Sequence, residues 1–371
     1  MGNAKSSPDG RALCGITATQ ARTVETRVRA LPTELTELSN ALDGHLGTRL
    51  EHLTSMLQDV RTAMDLASCA DRGATPLERR TDAAKLDALH AAVWRLHSKM
   101  RKAASNMRPV RLLPLGDSIT DGGTMGRSYR YHLHGLLEGT GRRIEWVGSM
   151  AGVHDKRQGR NASSGVLVQG MKDWPPSAQR HEGHWGWTSR QILRGHERQP
   201  QRSLLGNWLR TLARAAELPD VALVHLGTND LTRLSRPAST ERVSAVVRRM
   251  GTIVQRLCTS NPRVHVILAT PIPYCRFRTG SEADRAQAKA RRREREAEYA
   301  DGLYSVCRRQ HGLSCSGETR IICVNMTTAV DCSQLIADGV HPARSGARRM
   351  AALWHRALAP LLTEMSTSPP R

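Results

Sequence analysis

The sequence predicts an α/β fold: a parallel sheet of about five strands, covered by helices on both faces as a three-layer α/β/α sandwich and preceded by an α-helical hairpin or short coiled coil. Three observations carry this. From Pro109 onwards, short continuous apolar runs alternate with amphipathic stretches. Strands buried on both faces read as such runs. Residues 18–106 instead carry apolar side chains every third or fourth position, the spacing of a helix with one buried stripe. The residues suited to chemistry cluster just after the apolar runs, at the carboxyl ends of strands, where parallel sheets form their binding crevices.

Taken in order, residues 1–17 form a flexible arm. Gly2 with Ser6 matches the N-myristoylation pattern M-G-x-x-x-[ST], which makes Gly2 a lipidation candidate. A single acyl chain gives only marginal membrane binding, so any membrane contact is peripheral and cytosolic. Cys14 reads as an ordinary cysteine of that arm. Leu31, Leu35, Leu38, Leu42, Leu46, Leu50, Leu53, Leu57, Val60 and Met64 then form one stripe. Leu86, Leu89, Val93, Leu96 and Met100 form a second, with Thr81 as its N-cap. Packing, self-association and partner docking all fit this region.

The second part spans residues 109–364, followed by a short tail, 365–371. Its predicted strands are Val110–Leu115, Ile144–Val147, Val221–Leu226, Val264–Ala269 and Ile321–Val324. Glu241–Leu257 and Ala283–Arg308 are the longest predicted helices between them.

Composition narrows the partners. The formal net charge is +21, from 55 basic and 34 acidic residues, which by itself points to an anionic partner. Yet only seven of the 55 basic residues are Lys, and there is one Phe. That skew fits a GC-rich coding sequence, so nucleic acid is not expected as a partner. No run approaches the ~20 apolar residues of a membrane-spanning helix, and no secretory signal is visible. Eight Cys lack zinc-binding spacing, and with no signal peptide reduced thiols are expected. A disulfide among Cys307, Cys315, Cys323 and Cys332 stays open if the chain meets an oxidising compartment.

Four motifs carry the chemistry. The first strand runs into Gly116-Asp117-Ser118-Ile119. A serine there can present its hydroxyl at the sheet edge, or simply cap a helix. His181-Glu182-Gly183-His184-Trp185-Gly186-Trp187 lies between the second and third strands. Gly186 permits close approach and lends an N–H, and the spacing matches no common metal motif. His225-Leu226-Gly227-Thr228-Asn229 ends the third strand, where Asn229 is a side-chain donor or a turn residue. Asp338-Gly339-Val340-His341 supplies an imidazole base with a carboxylate three residues back to orient it.

In this order the four pieces resemble the SGNH (GDSL-type) serine hydrolase superfamily. The strings RLLPLGDSITDG, HEGHWGW, LVHLGTNDL and DGVHP are most similar to its acetylxylan-esterase-like branch, carbohydrate esterase family three. The resemblance implies a flavodoxin-like α/β/α fold and metal- and cofactor-free removal of acetyl groups from sugar hydroxyls. Ser118 would be the nucleophile, with Asp338 and His341 completing the triad. Ser118, Gly186 and Asn229 would line the oxyanion hole. Asp117, Tyr129, Arg130, His184, Trp185 and Trp187 are candidates for the substrate pocket. Trp185 departs from the family pattern, which has a small residue there. A lipid esterase or thioesterase of the same superfamily at a membrane surface is the alternative. A membrane-anchored scaffold with an inactive hydrolase domain is a rival of another class.

Overall fold

The computed structural model describes residues 108–122, 128–140, 142–154, 167–168, 173–196, 204–235, 239–277, 281–308, 315 and 319–367, with residues 87–96 and isolated positions between 26 and 62. Gly2, Cys14, the arm 1–17 and most of both predicted leucine stripes lie outside these. The chain divides into two compact units. One is residues 1–108, 139–142 and 362–371; the other is residues 109–138 and 143–361.

In the first unit, residues 87–96 are helical and Val93 is buried, as the second stripe requires. Leu31, Leu53 and Val60 are also buried. So is Met56, which the predicted stripe did not include.

The second unit holds a seven-stranded sheet. Its strands are β1 Val110–Gly116, β2 Ile144–Trp146, β3 Met150–Ala151, β4 Arg180–Gly183, β5 Val221–His225, β6 His265–Ala269 and β7 Ile321–Val324. The order is β3-β4-β1-β5-β6-β7. β2 pairs with the first half of β1, through Val110–Leu112, and β4 with its last two residues, Leu115 and Gly116. All pairings are parallel except β3 with β4. The five predicted strands are present. The two additional ones, β3 and β4, carry no apolar run. β4 reads Arg-His-Glu-Gly and is held by ladder bonds and by hydrogen bonds to its buried polar side chains.

The helices are α1 Ser118–Asp121, α2 Tyr129–Glu138, α3 Ser189–Arg194, α4 Leu205–Arg214, α5 Thr228–Leu234, α6 Val243–Ser260, α7 Glu282–Arg308 and α8 Arg344–Thr367. α8 runs to Thr367, so the helix extends into the predicted tail. Side chains alternate across each strand. Leu113, Leu115, Val224 and Leu268 join one core with residues of α3, α4, α6 and α7 such as Ile192, Leu209, Ile253 and Leu303. Leu112, Leu223 and Ile267 point the other way and are equally buried. Tyr129 of α2 packs on Trp354 of α8, ring centroids 5.9 Å apart.

The cysteines depart from expectation. Among the described residues three disulfides join Cys258–Cys315, Cys275–Cys332 and Cys307–Cys323. Reduced thiols were expected because no signal peptide is visible. Instead α6 and the loop after β6 supply Cys258 and Cys275, partners that adjacency along the chain does not reveal. Among the described residues no helix is long and apolar enough to cross a membrane.

Candidate active site

β1 ends at Gly116 and the chain turns at once into α1. Asp117 caps that helix, its Oδ1 accepting from the Ile119 N–H at 2.9 Å. Ser118 is therefore the first helical residue. Its N–H has no intrahelical acceptor, as for every helix start. Asp117 is fully buried, and that desolvation raises its pKa to about 7, helped by the nearby Asp230 charge and opposed by the Ile119 bond.

Ser118 Oγ lies 2.8 Å from His341 Nε2. His341 Nδ1 lies 2.6 Å from Asp338 Oδ2, while Asp338 Oδ1 accepts from the N–H groups of Val340 and His341 at 2.9 and 3.0 Å. Partial burial pushes the Asp338 pKa up, but these bonds outweigh it and hold the carboxyl below its ordinary value. Asp338 thus stays ionised and accepts the Nδ1–H, which leaves Nε2 free to receive the serine proton.

The loop carrying this pair is closely tied down. Ile336 N–H donates to His341 O at 2.9 Å, and Cys275 N–H donates to Gly339 O at 2.8 Å. Gly339 has φ +68°, and a Cβ there would lie 2.9 Å from the Cys275 carbonyl carbon. Only glycine meets both conditions. The Cys275–Cys332 disulfide fastens the same two segments.

Gly186 and Asn229 reach the same place from β4 and β5. Gly186 has φ +74° and is exposed. Asn229 Nδ2 donates to Trp187 O at 2.9 Å and more weakly to Asp117 Oδ2 at 3.3 Å. One amide thus ties the Gly186 loop to the nucleophile turn. Trp185 stacks on His341, centroids 4.9 Å apart and planes 16° apart. Trp185 also stacks on His154, centroids 4.7 Å apart. His154, which sequence reasoning missed, is held by its N–H to Asp121 Oδ1 at 2.8 Å.

A model of the GDSL-like lipase/acylhydrolase family matches residues 115–349. The chain belongs to this family, within the SGNH superfamily. No curated relative matches its sequence. Among solved structures it is similar to an acetyl esterase mutant with an acetate ion (20% identity, 69% of this chain and 99% of that one, TM-score 0.48). A family 3 carbohydrate esterase from Talaromyces cellulolyticus gives 21%, 69%, 99% and 0.45. The Clostridium thermocellum family 3 carbohydrate esterase gives 23%, 69%, 100% and 0.46.

As a GDSL-like acylhydrolase the chain is a carboxylic ester hydrolase, and most of its predicted pocket residues prove to be scaffold. Arg130 is fully buried and donates to the carbonyls of Thr120, Gln179, Asp121 and Gly152. Its guanidinium knits the nucleophile turn to neighbouring loops. Tyr129 is buried, with its hydroxyl 3.2 Å from Thr120 Oγ1. Trp187 and Trp208 both pack on the His184 ring, each centroid at 4.4 Å, and lie 6.1 Å from each other. His184 Nε2 lies 3.0 Å from Glu182, which also binds Ser149 Oγ. Asp117 faces Asn229 rather than open space. Of the six, only Trp185 touches the Ser118–His341 relay. Among the described residues no three His, Cys, Asp or Glu side chains are grouped to hold a metal.

Proposed function

We propose that the protein hydrolyses small acyl esters, acetyl above all, on carbohydrate hydroxyls, with Ser118, His341 and Asp338 as a catalytic triad. The observation that carries the proposal is the unbroken relay from Ser118 Oγ through His341 to Asp338, at 2.8 and 2.6 Å. Three side chains from opposite ends of the domain meet at hydrogen-bond distance in the orientation that proton transfer needs.

In the first step His341 Nε2 takes the Ser118 proton as Oγ attacks the ester carbonyl. The negative charge grows on the former carbonyl oxygen, where the N–H groups of Ser118 and Gly186 would receive it. Asn229 would join them by exchanging its long bond to Asp117 for the oxyanion. His341 then gives its proton to the leaving sugar oxygen and the acyl-enzyme forms. Water deprotonated by His341 attacks that ester and releases acetate, returning the proton to Ser118. Asp338 stays ionised throughout and stabilises the imidazolium.

The preference for acetylated sugars rests on the four motif strings around Ser118, Gly186, Asn229 and His341. Trp185, lying flat on His341, supports a short acyl group, because an indole beside the base takes up space that a long chain would need. Turnover of p-nitrophenyl acetate by the wild type and by Ser118→Ala tests the reading. We expect the variant to lose at least about 10³-fold in kcat. Equal rates would overturn the serine mechanism. Preference for p-nitrophenyl decanoate or an acyl thioester over acetylated xylooligosaccharides would replace the sugar assignment with the lipid or thioester one.

A further inference from the structure

Beside the Gly186 loop the protein has a second concavity. α3 starts at Ser189, three residues after Gly186, and packs on α6. Between them lies a cleft of about 430 Å³, lined among others by Arg190, Arg194, Arg248, Arg249, Arg256 and Glu241. Two of these arginines are committed. Arg249 binds Asp230, Ser189 Oγ and Glu241, and Arg256 donates to Leu193 O. Arg190, Arg194 and Arg248 are exposed, and their side chains make no ion pair or hydrogen bond with a described residue. Elsewhere in the domain, partly or fully buried arginines are matched to acceptors: Arg111 to Glu145, Arg180 to Glu217 and Arg292 to Glu296. Five guanidinium groups around one concave surface repel one another and concentrate positive potential there.

We propose that this cleft binds uronate carboxylates of an acidic glycan strand whose ester group is cleaved at Ser118. The proposal rests on the sugar-ester reading above. Two observations favour this occupant. The planar guanidinium fork matches a planar carboxylate through paired N–H bonds. Among the described residues no aromatic side chain lines the cleft, whereas single-stranded nucleic acid is usually held by stacking on aromatic rings. The site is also joined to the chemistry. Asp230 follows Asn229 in the chain, and accepts from Ser189 N–H and Oγ and from Arg249. The α3 helix itself is only about 9 Å long. A strand occupying both places would span several sugars, and the arginines would select it by charge.

Titration calorimetry on Ser118→Ala, which holds substrate without turnover, tests this with oligogalacturonate, a neutral xylooligosaccharide and an RNA oligonucleotide of matched charge. We expect oligogalacturonate to bind with a salt-dependent affinity, the neutral oligomer to bind at least about tenfold more weakly, and Arg190→Ala/Arg194→Ala/Arg248→Ala to lose about tenfold or more of the acidic binding. In the Ser118 background that triple variant should keep the wild-type rate on p-nitrophenyl acetate, which shows that it folds and separates this proposal from the catalytic one. Equal affinity for acidic and neutral oligomers, no oligogalacturonate binding, or no loss in the triple variant would each overturn it. Tighter binding of the RNA would overturn the glycan assignment. A triple variant that bound oligogalacturonate normally while Ser118→Ala abolished turnover would leave the esterase standing and refute the cleft.

Discussion

Asn229 holds two jobs on one amide. Its 2.9 Å bond to Trp187 O fixes the Gly186 loop, and its 3.3 Å bond to Asp117 points at the nucleophile turn. In the proposed mechanism, removing the amide would take away a donor to the oxyanion and also free the loop carrying another. We expect Asn229→Ala to lower kcat on p-nitrophenyl acetate by about 10²–10³-fold, with a smaller change in KM. A change confined to KM would make Asn229 a substrate-binding residue only. That Ser118, Asp338 and His341 come together was legible in the sequence, because each sits at a strand end or in one short loop. Arg130 and Tyr129 were misjudged for a physical reason. A charged or phenolic side chain near a nucleophile looks like a ligand-binding group until its own acceptors are known. Arg130 has four of them, all backbone carbonyls: Thr120 and Asp121 at the end of α1, and Gln179 and Gly152 from segments that sequence does not bring together.

Among the elements, the five apolar strands could be read directly, since burial on both faces imposes a continuous hydrophobic run. β4 could not, because His181 and Glu182 are buried polar residues satisfied by Gly152, Gly183 and Ser149. In the proposed mechanism activity depends most on the loop between β7 and α8. Cys275–Cys332, at a sequence separation of 57, ties that loop to the segment after β6, and such a link typically contributes about 2–4 kcal/mol. Cys275→Ser/Cys332→Ser should therefore lower the thermal midpoint and reduce kcat, as the Asp338–His341 pair loses a fixed position against Ser118. Assays with and without reductant decide it: reductant should depress the wild type and leave a smaller effect on the double variant. Unchanged activity in that variant would mean the Cys275–Gly339 backbone bond suffices.

For the whole molecule, folding and protonation are linked through groups buried in the sheet. His225 is fully buried, and neither ring nitrogen has a partner among the described residues. Burial lowers its pKa to about 4 from an ordinary 6.5. Between those values the unfolded chain binds the proton and the folded one does not, so this group's contribution to stability is lost as pH falls from 6.5 to 4. Asp117 acts in the opposite sense: raised to about 7, it favours the fold at low pH and stops doing so as pH rises from about 4 to 7. His225→Leu should therefore remain more stable than the wild type on acidification, by up to about 3 kcal/mol at pH 4, as read from urea midpoints across that range. An unaltered pH slope would show that His225 is solvated. The three disulfides among the described residues add a second condition at this scale, since such bonds persist where thiols are not kept reduced. The stacking of Trp185 on His341 reaches further than shape. In the proposed mechanism the imidazolium formed at His341 would lie against the face of the Trp185 ring, and a cation over an indole face is attracted by the ring quadrupole.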